Sequence, residues 1–470
     1  MNLQTLLSGK KTFRLLLLLN FIISAVIFYA FRNTTGGDTS TYFGLADGIR
    51  NGNYSYWYFL DQEYPDTFRN PGYPIYLAAI RSISESLRFL QLIQFLFYGG
   101  AIALILSITD LLYPHRNTLV IKNLFLLFLL PSIHVASYIP TVFPEIIVTF
   151  LLLLSIWLDL KLPYNKWYKY IVLGLLYGIL FQIRPVILFL PVIISVARYF
   201  QIRNNFSFIK NFVMLLIFAL TMVPYGLWNK KHHGVFKITS LEGGGGVFHL
   251  GYWMFKLPDY YEPRYWGNYC TRELIPFIDE SERDDYIKAY NAEWDEIDAA
   301  CNPLLTAKDS MMMNIKKEYP SLFHTFNSEY TIKRENLLKE YAIKNIKDDM
   351  PFYIKAKIYS AIRLWVTGIP LKEYKTAGGI KKMYLLYPFC ITLLTFLAAI
   401  IFIPAAFIKQ GQNMKPLIII IIIALYFGCM HIPFTIQSRY TIPVRLELLL
   451  MIAVSVYMIF FRRHAQNTTH

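Results

Sequence analysis

Charged side chains stand at four places where this apolar chain has little structural use for them. Asp38 follows a Gly-Gly pair just beyond the first apolar run, and Glu145 follows Pro144 at the start of another. Arg184 precedes Pro185 between two short apolar runs, and Arg439 lies in QSRYTIP before the last one. A carboxylate can accept the proton of an attacking hydroxyl, and arginine presents a planar, permanently charged fork to phosphate oxygens. Charge beside lipid is costly unless partnered, so two carboxylates and two arginines at helix ends mark a site for a phosphate-bearing substrate and a base. Each residue also has a plainer reading. Asp38 suits a turn or helix cap, Glu145 suits the positive end of a helix, and the arginines suit contact with headgroups.

The elements that position these residues are apolar. Of 470 residues, 55% are hydrophobic and 17% aromatic, which describes a polytopic membrane protein. Runs near the length of a bilayer crossing predict about ten helices, at 12–31, 89–112, 118–138, 141–160, 168–183, 185–201, 208–228, 383–408, 415–433 and 440–461. Backbone groups in lipid must pair internally, which favours helices, and no alternating strand pattern suggests a barrel. Lys10, Lys11 and Arg14; Arg116; Lys161, Lys166 and Lys169; Arg198, Arg203 and Lys210; Lys409 and Lys415; and Arg462 and Arg463 then share one side. That bias makes both termini cytoplasmic and the opposite face external. The basic start followed by Leu15 to Ala30 runs into Tyr29, Phe31 and Arg32 without a small-residue cleavage site, so it reads as a retained first helix.

The expected fold is therefore an all-α polytopic membrane protein with outer juxtamembrane helices and a mostly helical extracytoplasmic insert. Residues 1–228 form an N-terminal membrane module that includes an outer loop at 32–88, residues 229–382 the insert, and residues 383–470 a C-terminal membrane module. Pro71 and Pro74 punctuate short surface helices in the first loop. Within the insert, Arg334 to Trp365 is amphipathic enough to rest on the membrane. The net charge of +15 is spread over helix ends instead of one basic face, which argues for lipid and topology and against nucleic acid.

Other features are read more plainly. Four cysteines are too few for a disulfide scaffold, and Cys270 and Cys301 in the insert are either bridged or free. Gly243 to Gly246 read as a turn, because no Gly-Lys-Ser/Thr of a phosphate loop follows. His232 and His233 beside Lys230 and Lys231 either touch phosphate or belong to an interfacial basic cluster. Tyr54, Tyr56, Trp57, Tyr58 and Phe59 suit an interfacial aromatic belt better than a sugar platform.

Taken in order, GGDTSTYFGLADGIRNG with FRNPGYPIYLA, PTVFPEIIVTFLLLLSIWL, GLLYGILFQIRPVILFLP, WNKKHHGVFKITSLEGGGGVFHLG and QSRYTIPVRLELLL resemble the integral-membrane glycosyltransferases of the C superfamily. The branch they resemble holds protein O-mannosyltransferases and lipid A aminoarabinose transferases. The resemblance touches most of the chain from residue 36 to about 450. It implies transfer of a sugar, with inversion, from a polyprenyl-phosphate carrier to a lipid, glycan or protein acceptor. The setting it implies is the outer face of a membrane, here a bacterial cytoplasmic membrane with the site facing the periplasm.

By the same resemblance Asp38 is the base, Arg184 and Arg439 hold the carrier phosphate, and Glu145 lies near the acceptor or a metal. Tyr42, Arg69, Tyr73, His232, His233 and Tyr440, within or beside those motifs, are candidates for substrate contact. Two departures stand out. Asp38 is followed by Thr39, not by the second acid some relatives carry, and no Asp-x-Asp lies near it. No cofactor is assigned, and a divalent metal stays an open expectation, because hard cations need several oxygen ligands. A polymerase or ligase using pyrophosphate-linked donors would also place arginines in an outer cleft. A transporter or lipid flippase would instead tend to show matched repeats and broken helices at mid-membrane.

Overall fold

The computed structural model describes residues 3–31, 38–59, 64–114, 118–203, 206–257, 261–262, 265–266, 279–306, 309 and 327–461. Gly36, Gly37, Arg116, Cys270, Arg462 and Arg463 lie outside them. The described residues are overwhelmingly helical, with one short antiparallel strand pair, Tyr261–Glu262 with Tyr265–Trp266. Among the described residues, five helical stretches are long and apolar enough to cross a membrane: Lys10–Ala30, Leu87–Leu112, Phe208–His233, Gly379–His431 and Ser438–Phe461. The protein is an all-α polytopic membrane protein.

Lys10–Ala30 shows how such a helix is sorted between lipid and protein. Leu16, Asn20, Ser24 and Ile27 recur at helical spacing and are buried, while Leu15, Leu18, Phe21 and Val26 face outward. Asn20 is tolerated in the buried stripe because its amide donates to the carbonyls of Leu16 and, across the interface, Leu126, at 2.9 and 3.0 Å.

Two expected crossings are shorter than their apolar runs. The run at 118–138 is split at Pro131 into Thr118–Leu129 and the single turn Ile133–Ala136, and the following helix, Glu145–Lys161, begins after Pro140 and Pro144. Proline lacks the amide hydrogen a helix interior needs, so the apolar run is broken there. Irregular backbone at that depth must still be hydrogen-bonded. Gln91 and Gln94, on one face of Leu87–Leu112, donate to the carbonyls of Pro140 and Thr141 at 2.8 and 2.7 Å. This braces the turn that delivers Glu145.

The loop after the first apolar helix is itself partly helical. Thr39–Arg50 and Gly72–Ile83 are the short helices of the first loop. Gly72 lies so close to the end of Trp167–Ile183 that a Cβ there would come within 2.4 Å of the Gln182 carbonyl carbon. Only glycine permits that approach, and it seats the first loop beside Arg184.

The insert contributes Arg283–Cys301, Ser328–Asp348 and Met350–Trp365. Met350–Trp365 presents Met350, Ile354, Ile358 and Ile362 outward and buries Ala356, Lys357, Ser360 and Leu364, the two-faced pattern read from the sequence. It is tied to the membrane helices at its end, where the Leu364 carbonyl accepts from Thr441 Oγ1 and Arg445 Nη2 at 2.7 and 3.1 Å.

Candidate active site

Each candidate side chain is delivered by a break in a helix. Pro185 drives Arg184 out of helical geometry into extended backbone, φ −140° and ψ 105°, between Trp167–Ile183 and the 3₁₀ turn Pro185–Phe189. Asp38 immediately precedes Thr39–Arg50, Glu145 is the first residue of Glu145–Lys161, and Arg439 sits in the 3₁₀ turn Ser438–Val444. These ends meet around a cavity of about 520 Å³ that Asp38, Glu145, Arg184 and Arg439 all line. Tyr42, Arg69, Tyr73 and Tyr440 line it too. His232 and His233 are not among its lining residues. His233 bonds to Ser328 Oγ at 2.7 Å and to the Asp66 carbonyl at 3.1 Å, and His232 packs on Trp228, beside a separate groove.

Every reactive carboxylate in the cavity is paired. Asp38 accepts from Arg69 Nη2 through Oδ1 at 2.8 Å and from Arg439 Nη2 through Oδ2 at 3.0 Å. Glu145, fully buried, accepts from Arg184 Nη2 at 2.6 Å. Burial works to raise the Asp38 pKa, but the two facing guanidinium groups outweigh it and hold the carboxyl below its ordinary 3.8. Tyr42 moves the other way, its pKa raised chiefly by burial.

The arginines keep unspent donors. Arg184 Nη1, Arg439 Nε and Arg69 Nε have no hydrogen-bond partner within the protein, nor do Tyr73 Oη and Asn70 Nδ2; on the acceptor side only Glu145 Oε2 is in that state among these residues. An excess of positively charged donors suits an acceptor-rich anion such as a phosphate ester. Arg184 and Arg439 lie 5.5 and 5.8 Å from the Tyr440 ring centroid, so one aromatic ring flanks both.

Several lining residues were not singled out in the sequence. Lys237, Thr239, Ser240 and Glu242 form one wall, although all lie in the tract recognised around the glycine run. Glu242 accepts from Thr67 and from Arg334 Nη2, which joins the first loop to the insert. The glycine run is bent at Gly243 and Gly244, with Gly243 at φ 94°, and helical from Gly245. Gly245–Trp253 is a helix whose first amides, Gly245 and Gly246, donate to Glu335 Oε2 at 2.8 and 3.2 Å. Burial chiefly raises the Glu335 pKa.

His431, the last residue of the apolar helix Ile418–His431, also lines the cavity and stacks on Tyr440 at 4.8 Å. Of the aromatics after Asn53, Tyr54 Oη donates to the Arg69 carbonyl at 2.7 Å and Trp57 is buried, while Phe59 is exposed. Among the described residues no three His, Cys, Asp or Glu side chains gather as a metal cage.

Fold and cavity together define a helical membrane protein with a paired-charge pocket between helix ends. No family model matches the chain, and no curated protein matches it. Among solved structures it is distantly similar to ArnT from Cupriavidus metallidurans bound to undecaprenyl phosphate, at 11% identity and a TM-score of 0.37, covering 96% of this chain and 79% of that one.

Proposed function

We propose that this protein is a glycosyltransferase of the C superfamily that moves a sugar from a polyprenyl-phosphate carrier to a lipid, glycan or protein acceptor, with inversion. The observation that carries the reading is one cavity in which Asp38 faces Arg69 and Arg439 while Arg184 and its partner Glu145 line the same space. The order of sequence motifs described above supports the family. In this reading residues 1–228 and 383–470 are the membrane modules and 229–382 the outer insert, and the site faces the periplasm of a bacterial inner membrane.

The chemistry balances within the cavity. The acceptor hydroxyl gives its proton to Asp38 as its oxygen bonds to the anomeric carbon. The bond from that carbon to the phosphate oxygen breaks, and its electron pair leaves with the carrier phosphate. That group gains a negative charge, which Arg184 and Arg439 stabilise as it develops. Glu145 holds Arg184 in place for this role.

The test is thin-layer separation of labelled polyprenyl-phosphate-hexose after incubation with purified protein and a crude envelope extract as acceptor pool. Loss of the donor spot and appearance of a new product for wild type, with Asp38→Asn inactive by about a hundredfold or more, is the expected result. Full turnover by Asp38→Asn would remove Asp38 as base. A donor left unchanged across several sugars would favour pyrophosphate-linked donors or transport.

A further inference from the structure

We infer that Arg439 is shared between Asp38 and the donor phosphate, whereas Arg69 is a positioning residue that stays on Asp38, so the base is uncovered only when donor is bound. This rests on the donor reading above and adds an order of events to it.

The two arginines on Asp38 are held differently. Arg69 is held at its backbone and over the face of its guanidinium, although its Nε, like that of Arg439, has no partner within the protein. Its amide donates to Asp66 Oδ2 at 2.8 Å, and its carbonyl accepts from Tyr54 Oη and Tyr225 Oη at 2.7 and 3.0 Å. Its guanidinium lies 4.2 Å over the Phe68 ring and 5.0 Å from the Tyr42 centroid. From this anchored backbone one Nη reaches Asp38 Oδ1.

Arg439 is placed to serve two anions. Its Nη2 bonds to Asp38 Oδ2, and it flanks Tyr440 together with Arg184. Arg184 keeps Nη1 unspent while Nη2 is bonded to Glu145. A phosphate received by Arg184 and Arg439 therefore competes with Asp38 for the charge of Arg439 alone. When the donor engages Arg439, Asp38 keeps Arg69 but loses half of its cationic shell, which leaves it a better proton acceptor. As transfer proceeds, the carboxylate is neutralised by the acceptor proton while the phosphate gains charge, and Arg439 lies within reach of both. The phosphate is thus both the leaving group and the trigger.

Competition for one guanidinium is reciprocal, so removing the carboxylate must strengthen phosphate binding. The experiment is calorimetric binding of farnesyl phosphate, which carries no sugar to transfer, to the full chain in detergent. Asp38→Asn should bind about 5- to 20-fold tighter than wild type, and Arg439→Met should lose binding. Arg69→Met on the Asp38→Asn background should leave that tightened affinity unchanged. Glu242→Gln removes the same charge from the same cavity, but its carboxylate is spent on Arg334, so affinity should stay within about twofold.

In turnover assays, Arg69→Met should lower kcat with little change in donor KM, and Arg69→Lys should restore part of it. Unfolding temperatures identify any misfolded variant, and Asp38→Ser replaces Asp38→Asn if needed. Binding by wild type with no gain in Asp38→Asn, or an equal gain in Glu242→Gln, overturns the sharing. A loss at Arg69 as large as that at Arg439 makes Arg69 a phosphate ligand and overturns its positioning role. Binding by none of the proteins overturns the donor reading itself, and the sharing with it.

Discussion

Arg439 Nη2 lies 3.0 Å from Asp38 Oδ2, joining residues 401 positions apart. With Arg69 on the other oxygen at 2.8 Å, the free protein holds its candidate base as a doubly paired anion. The contact ties the 3₁₀ turn before the last helix to the start of Thr39–Arg50, and with Arg69 it lowers the Asp38 pKa.

The first consequence is a stability that depends on acid. Burial raises the Asp38 pKa, and Arg69 and Arg439 more than reverse it, so the folded-state pKa lies below the ordinary 3.8. The stabilisation is fully present above that ordinary value and is lost as pH falls through the lower, folded one. Thermal unfolding followed between about pH 5 and about pH 3 should therefore fall more steeply for wild type than for Asp38→Asn. Equal slopes would mean that the pairing does not persist in detergent.

Glu145 and Arg184 give a different signature, because the glutamate is almost wholly buried. Arg184→Ala strands an anion in a low-dielectric site and should cost about 3–5 kcal/mol. The double change Glu145→Gln with Arg184→Met should regain most of that stability while transfer stays lost. Chemical unfolding and donor turnover on the same preparations separate the two effects. Recovery of activity in the double variant would take the pair out of the site.

The wall of the cavity is predicted to discriminate between adjacent glycines. A Cβ on Gly245 would fall 1.9 Å from the Glu335 carbonyl oxygen, a backbone atom, whereas at Gly244 nothing lies within 4 Å. Gly245→Ala should destabilise by about 1–3 kcal/mol and impair transfer, since Gly243 and Gly244 line the cavity. Gly244→Ala should stay within about 0.5 kcal/mol of wild type. Similar unfolding curves for the two would show that Ser328–Asp348 does not brace the glycine run.

Much of this architecture was legible because its signals are local. Apolar runs mark the membrane helices, prolines mark where they break, and a charge beside each break marks the site: Asp38, Glu145, Arg184 and Arg439 all line one cavity. What stayed hidden was pairing. Nothing local to Arg69 says that it meets Asp38, and nothing in the glycine run says that Glu335, 90 residues later, accepts from its amides. The run therefore read as a turn. Arg445 and Glu447, both fully buried in the last helix, were legible as charges in an apolar run and were passed over. Arg445 donates through Nε to Thr441 Oγ1 and through Nη2 to the Leu364 carbonyl, contacts no sequence spacing encodes.

The far end of the bundle provides the last prediction. Glu145–Lys161 starts at the cavity, and Asp159, 14 residues on, lies about 21 Å away along the helix axis. There it pairs with Lys169 at 3.0 Å and with Arg198, all three side chains being buried. Two cations share one carboxylate, so Asp159→Asn leaves both without a counter-ion and should cost about 3–5 kcal/mol. Nothing in the proposed reaction passes through this cluster, so transfer per folded molecule should be unchanged. Specific activity normalised to the folded fraction reads this directly. A loss comparable to that of Asp38→Asn would mean that the two ends of the bundle are coupled, and that the pairing at Asp38 depends on how this helix is anchored at its other end.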